Sequence, residues 1–479
     1  MRISTSILLL ASVLFSTSAL AAPPKKPNIL FILIDDMGYG DLSCYDTQAA
    51  PTPRIDQLAK EGIRFTQFYV SSPICSPSRC SFVTGQWPQR WRLSSYLFDR
   101  QLNERRGMAQ WLGTAAPSIA RSLRDDAGYA TGHFGKWHLG GGLDVGDAPL
   151  ITDYGYDETL TNFVGMGDRV LPLEDKYDGS EPKRDDLGVA SEKLGRGKVT
   201  WEDRSVITTR FADRAIAFMD KAVAAGKPFY VDLWPDDVHS PFFPPKALRS
   251  SEAKRDLYRA VVRATDAQLT PILDHVKNTP GLRDNTIIIL ASDNGPEPGA
   301  GTAGPFRGHK GNLYEGGIRE PLIVWSPSRI TPDRAGTTDS TSILCALDFA
   351  PSLRTLAGLA PVSSDGQDAS NALLGKQPLD QRTAPLVWRR PPDRPGPKDA
   401  PFPDLAIRDG NWKFLCMSDG SRPELYDLST DLSESHNLTG AHSDRVTQMK
   451  NDLLKWNASM PKDRPDPPRQ PNPAPKADG

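Results

Sequence analysis

An excess charge of either sign is missing from this chain. Its 57 Lys and Arg against 59 Asp and Glu leave a formal net charge of −2, so no basic field is available to hold nucleic acid. Long apolar runs are equally scarce. Past residue 21 none approaches the roughly 20 residues that a helix needs to cross a bilayer, so no membrane span is expected. Cysteine is sparse, at five in 479 residues. No Cys-x-x-Cys spacing occurs, which removes the usual sequence sign of a zinc ribbon or a dithiol redox centre. No internal repeat is visible, so a solenoid is not expected.

What is present begins with an export signal. Arg2 supplies the positive start, Ile7 to Phe15 the apolar run, and Ala19-Leu20-Ala21 a small-x-small cleavage site. Residues 1–21 therefore read as a signal peptide, and the protein as exported, periplasmic or extracellular, beginning near Ala22. No cysteine follows the cleavage site, which speaks against a lipid anchor.

Beyond it, Ile29 to Ile34 is a β-branched apolar run that ends in Asp35-Asp36, and Thr286 to Ala291 repeats the form before Ser292-Asp293-Asn294-Gly295. Phe229 to Trp234 and Leu322 to Trp325 read as two further buried strands. Thr208 to Ala225, Ser118 to Ala127 and Asp256 to Val276 read as helices, the last split or kinked by Pro271. This alternation predicts an α/β fold with a large, mostly parallel sheet covered on both faces. Ligands in such sheets sit beyond the carboxyl ends of the strands. Leu143 to Asp203 is polar and reads as an excursion, either a substrate-facing lid or a solvated insertion. After Pro378 the texture changes to short strands at Leu386 to Trp388, Asp404 to Ile407, Trp412 to Met417 and Glu424 to Leu428. With a helix near Arg445 to Trp456 they predict a small antiparallel subdomain over 379–460, after a main domain over 27–378. Residues 461–479, rich in Pro, Asp and Lys, read as a disordered tail.

Chemistry concentrates in five places. Cys75-Ser-Pro-Ser-Arg-Cys-Ser-Phe-Val-Thr-Gly85 joins a candidate nucleophile to a rigid turn and a cation. Pro77 predicts an extended approach at Cys75, Ser78 a helix cap, and Arg79 a forked donor for an anion. Asp35, Asp36, Asp293 and Asn294 together make a hard oxygen site suited to Ca²⁺ or Mg²⁺; taken separately, each pair is also a common turn or cap. Lys136 and His138, in Gly135-Lys136-Trp137-His138-Leu139-Gly140, share a face if that segment is extended. His239, before Ser240-Pro241, follows a strand end, and Lys310 lies in Gly308-His309-Lys310-Gly311. His133 reads as structural, and His275, His436 and His442, outside every motif, read as surface or core residues. His309 is open between lining a pocket and a structural place.

The Cys-x-Pro-Ser-Arg segment followed by Thr-Gly resembles the signature of the formylglycine-dependent sulfatases, of alkaline-phosphatase-like α/β/α fold. The Lys136–His138 hexapeptide, the His239 segment, and Lys310 with Glu315-Gly-Gly-Ile-Arg319 resemble further motifs of that family, in order. Glu320 stands where an apolar residue is commoner there. The resemblance implies that Cys75 is oxidised by a maturation enzyme to formylglycine, whose hydrate is the nucleophile. It implies that Asp35, Asp36, Asp293, Asn294 and residue 75 hold calcium. It assigns sulfate binding to Lys136, with Arg79 beside the hydrate. His138 would take the hydrate's proton, and His239, helped by Lys310, would protonate the leaving alcohol. With Cys75 set aside, the other four cysteines allow three disulfide pairings. The implied activity is sulfate monoester hydrolysis, with a sulfated carbohydrate as the expected substrate. A phosphonate monoester or phosphodiester hydrolase, and a silent sulfoglycan-binding protein, are the alternatives. Trp87, Arg90, Arg169, Trp234, Asp236 and Asp237 are candidates to line the sugar site, each with a structural reading beside it.

Overall fold

The computed structural model describes residues 26–175, 180–184 and 190–462. The export segment and nearly all of the C-terminal tail lie outside the described residues. Among the described residues, one sheet holds twelve strands. They are β1 (Asn28–Ile34), β2 (Ile63–Tyr69), β3 (Ala130–Lys136), β4 (Glu158–Asn162), β5 (Arg169–Glu174), β6 (Lys183–Arg184), β7 (Val199–Asp203), β8 (Phe229–Trp234), β9 (Thr286–Ser292), β10 (Arg319–Trp325), β11 (Thr337–Asp339) and β12 (Leu344–Cys345). The order is β11-β2-β10-β9-β1-β8-β3-β4-β5-β6, with β12 beside β2 and β7 beside β5. β9, β1, β8, β3 and β4 run parallel, whereas β10 is antiparallel to both of its neighbours.

The apolar run of β1 is buried on both faces. Ile29, Phe31 and Leu33 enter one core, while Leu30, Ile32 and Ile34 enter the other, as strand alternation requires. The helix Ile207–Ala224 supplies Phe211, Ala215 and Met219 to the second core. The expected long helix is divided into Lys254–Gln268 and Thr270–Asn278, with Pro271 in the first turn of the second, where its missing N–H leaves no bond unmade. The helix Ile119–Ala127 starts at Ser118, whose Oγ accepts from Arg121 N.

One expectation is corrected. The polar stretch 143–203 is no excursion, because it carries β4 to β7 and extends the sheet on one side. Its outer strands are partly exposed, so edge position removed the apolar signal. The five cysteines are all unbonded, and none of the three pairings is formed.

The C-terminal region forms a second, antiparallel sheet of β13 (Leu386–Arg389), β14 (Leu405–Asp409), β15 (Trp412–Cys416) and β16 (Glu424–Asp427). Leu405, Ile407, Phe414 and Leu425 pack under Met449 and Leu453 of the helix Ser443–Ser459. The alternate residues Trp388, Ala406, Leu415 and Tyr426 join the main core, and Trp388 Nε1 donates to Val70 O at 2.7 Å.

Candidate active site

Four adjacent strands, β9, β1, β8 and β3, end on one side of the sheet, and the loops after them carry most of the site. β1 and β9 are direct neighbours in register from Asn28↔Thr286 to Ile34↔Ser292, so Asp35 and Asp293 emerge side by side. Asp36 adopts φ +58°, a left-handed conformation that Asp tolerates better than most residues. It breaks the strand's alternation and lets neighbouring carboxylates face one crevice. Asp36 N donates to Asp293 Oδ1 at 3.2 Å, and Asn294 Nδ2 to Asp36 Oδ1 at 2.7 Å. Gly295 is needed next, because a Cβ there would stand 2.3 Å from Gly316 O.

Cys75 is the first residue of a buried helix, Cys75–Thr84, with Ile74 extended before it and Gly85 left-handed after it. The extended approach therefore ends one residue earlier than expected, and Ser78 is inside the helix rather than its cap. Pro77 lies in the first turn, where backbone N–H groups have no helical partner to lose. Ser76 Oγ instead accepts from Leu97 N at 2.9 Å. Cys75 Sγ lies 3.7 Å from Lys136 Nζ and 4.0 Å from Asp36 Oδ1. Burial and the Asp35 charge push the thiol well above its ordinary pKa, outweighing Lys136 and Lys310.

Three cations interleave with the three carboxylates. Arg79, fully buried, bridges Asp35 (3.1 Å) and Asp293 (2.8 Å), donates to Lys136 O at 2.8 Å, and lies over the Trp234 ring. Lys136 Nζ pairs with Asp35 and Lys310 Nζ with Asp36, each at 2.5 Å. Burial raises Asp35, but Lys136 and Arg79 prevail and hold it well below the usual carboxylate range. Burial and the Asp35 charge push Asp293 up to about 8.

His138 also departs from an extended segment, with φ +57°. Its Nε2 lies 3.0 Å from Leu97 O. Since a carbonyl only accepts, Nε2 carries the proton and Nδ1 the lone pair. Nδ1 is buried with no hydrogen-bond partner among the described residues. Burial, then Lys136 and Arg79, drives this imidazole well below its ordinary pKa. His239 Nδ1 donates to Ser240 O at 2.6 Å, leaving Nε2 at 3.6 Å from Asp36 Oδ2. Phe163, which nothing in its sequence surroundings marks, packs its ring between His138 (4.6 Å) and His239 (6.0 Å), with Lys136 Nζ 4.6 Å above it.

The donor set fits a hard cation. Oxygens of Asp35, Asp36 and Asp293 lie within 4.8 Å of one another, as do ligand atoms of Asp35, Cys75 and His239. Asn294 Oδ1 is buried and has no hydrogen-bond partner among the described residues, an unmade interaction that a cation would satisfy.

The sugar-site candidates fare differently. Trp234, Asp236, Asp237 and Arg169 are buried. Asp236 is held by Arg204 at 2.8 Å and by Asn162 at 2.7 Å, and Asp237 by Thr208. Trp87 packs on Trp456, and Arg90 is paired with Asp365 at 2.7 Å. The structure gives all six structural partners or places. His133 is enclosed by Trp137, Tyr156 and Trp234, and His309 lines a cleft beside Lys310.

A carboxylate-rich, cation-lined crevice at the carboxyl ends of a mostly parallel sheet, with a separate antiparallel sheet in the same chain, defines an ester hydrolase of alkaline-phosphatase-like fold. Residues 27–359 match the family model described as Sulfatase. The chain is 30% identical to arylsulfatase A of Homo sapiens over 90% of its own length and 86% of that protein's. It is 32% identical to N-acetylgalactosamine-6-sulfatase of Canis lupus familiaris over 77% and 70%. The crystal structure of Ps i-CgsB in complex with k-i-k-neocarrahexaose superposes with a TM-score of 0.72 at 26% identity, covering 90% of this chain and 93% of that one. The chain belongs to the sulfatase family, the sulfuric ester hydrolases.

Proposed function

We propose that the protein is an exported enzyme that removes sulfate from carbohydrates, acting through residue 75 after its oxidation from cysteine to formylglycine by a maturation enzyme. Calcium, or magnesium in its place, would be held by Asp35, Asp36, Asp293, Asn294 and residue 75. The observation that carries this reading is the condition of Cys75. It stands where Lys136, Asp36 and the helix start converge, yet its surroundings keep the encoded thiol protonated, and a protonated thiol is a poor nucleophile. Oxidised and hydrated, residue 75 supplies a geminal diol, one hydroxyl to attack sulfur and the other to expel the sulfate. A bound divalent ion adds Lewis-acid stabilisation of developing negative charge.

The remaining roles belong to side chains in place. Arg79, locked between Asp35 and Asp293, fixes a positive charge beside residue 75. Lys136 reaches the same atom and binds the sulfate oxygens. His138 keeps its bare Nδ1 as the base for the second hydroxyl. His239 and Lys310 face Asp36 at the more open side, where the leaving alcohol takes its proton. Support for a carbohydrate substrate comes from relatives: the canine one is named for N-acetylgalactosamine 6-sulfate chemistry, and the Ps i-CgsB structure holds a neocarrahexaose.

Mass analysis of the Cys75 peptide, together with parallel assays of sulfate, phosphonate and phosphate diester substrates, tests the reading. The expected result is an aldehyde at residue 75 in the active protein and fastest turnover of sulfate esters. Cys75→Ser should fold normally and lose at least about 10³-fold in kcat. Full activity with an unmodified thiol, or faster phosphonate cleavage, would sink the proposal.

A further inference from the structure

The loop joining β13 to β14 leaves the C-terminal sheet and returns to the mouth of the crevice. There it forms one wall of a cleft of about 370 Å³, lined by Lys310, His309, Glu297, Arg394 and Phe402 among others. Lys310 connects the cleft directly to the buried site, since its ammonium pairs with Asp36 at 2.5 Å. Phe402 is fixed in place: its N–H donates to Pro395 O at 2.9 Å, and its ring packs against His309. Gly396 (φ +79°) permits this, because a Cβ there would lie 2.8 Å from the Phe402 ring.

The cleft's charges are unequally matched. Glu297 is neutralised by Lys254 at 3.2 Å and Lys310 at 3.8 Å. Arg394 pairs only loosely, at 3.7 Å, with Asp393. That carboxylate is already bound by Arg106 and Ser95, each at 2.7 Å. The Arg394 side chain is one-third exposed, and its guanidinium lies 5.3 Å from the Tyr96 ring centre. A planar cation fork, held near an aromatic surface and underused by its carboxylate, suits an oxyanion on a ligand.

We propose that this cleft is the subsite for the sugar bearing or adjoining the scissile sulfate, with the ring against Phe402, and that Arg394 binds a second anionic group of the substrate. This rests on the sulfatase reading and adds its substrate class: a carbohydrate with a uronate carboxylate or a second sulfate ester near the one removed.

The test is competitive inhibition of 4-nitrophenyl sulfate hydrolysis by three chondroitin disaccharides. They are the monosulfated form with its free uronate, the uronate methyl ester of that form, and the disulfated disaccharide as the same methyl ester. The free uronate or the second sulfate should lower the inhibition constant about 10–100-fold relative to the monosulfated methyl ester. Whichever of the two gains identifies the anion. Arg394→Gln should abolish that difference while leaving the KM for nitrophenyl sulfate unchanged. Equal inhibition by all three sugars, or a difference that survives Arg394→Gln, overturns the subsite and leaves the hydrolase reading intact. A protein with residue 75 oxidised that hydrolyses no sulfate ester overturns both.

Discussion

Around residue 75, neutral and charged groups are sorted by what surrounds them. Burial, then Lys136 and Lys310, holds His239 below the ordinary imidazole pKa, which is about 6.5. A general acid must be protonated before it can donate, and a lowered pKa means that the proton is lost earlier as pH rises. For alkyl sulfates, kcat/KM should therefore fall as pH rises, with the break below the ordinary imidazole value. For 4-nitrophenyl sulfate, whose leaving group hardly needs a proton, the same limb should be shallow. His239→Ala should cost about 10²–10⁴-fold on alkyl sulfates and far less on the nitrophenyl ester. Equal losses on both would remove His239 from the donor's place.

The two sheets are joined through a buried ionic cluster. Lys413 of β15 pairs with Glu315 at 2.9 Å and Glu434 at 2.8 Å, all three buried, and Glu315 also binds Arg319 at 3.1 Å and Tyr69 at 2.6 Å. Burial raises Glu315, but Lys413 and Arg319 overcome it and bring its pKa to about 2. Burial and Glu315 lift Glu434 to about 7. Lys413→Met would strand both carboxylates and should cost about 3–5 kcal/mol at neutral pH, read as a lower denaturant midpoint. The sign with pH follows from Glu434. Its raised folded-state pKa contributes stability that is fully present below the unfolded value of about 4.3 and is lost as pH rises through about 7. The mutational loss should thus be smaller at pH 5 than at pH 8. A loss independent of pH would mean that Glu434 keeps no proton in the folded state.

Taken together, the crevice matches acidic and basic side chains in number before any ion or substrate enters. Three carboxylates, Asp35, Asp36 and Asp293, face three cations, Arg79, Lys136 and Lys310. A divalent cation would make the sum positive, which suits an anionic ester. It must first displace the proton that burial and Asp35 hold on Asp293, whose pKa is about 8. Calcium affinity should therefore rise about tenfold per pH unit from pH 6 to about 8 and then level. Calorimetry in buffers of different ionisation enthalpy should register one proton released. Chelation should abolish turnover and lower the melting temperature, since calcium at a hundred times its Kd adds about 2.7 kcal/mol to stability. Unchanged activity and melting after exhaustive chelation would remove the metal from the site.

Much of this architecture was legible from residue order alone. Apolar runs in β1, β8 and β9 are buried on both faces, so burial wrote them as largely hydrophobic segments, with Asp232 the one acid inside β8. The short strands β13 to β16 were marked by turn residues between them. The strands β4 to β7 were not legible, because β4 and β5 carry polar residues among their buried ones and the edge strands β6 and β7 are partly exposed. Chain order placed Asp35, Cys75, Lys136, His239, Asp293 and Lys310 among candidates, since each is a reactive type in a distinctive setting. Only tertiary structure decided that β9 and β1 are neighbours, that Asp36 and His138 turn left-handed, and that Phe163 packs between two histidines. It also showed that Trp234 and Asp236 serve the interior rather than a sugar. Residue type and local spacing record what a side chain can do. Which groups share one low-dielectric space, and so shift one another's protons, depends on contacts between segments hundreds of residues apart.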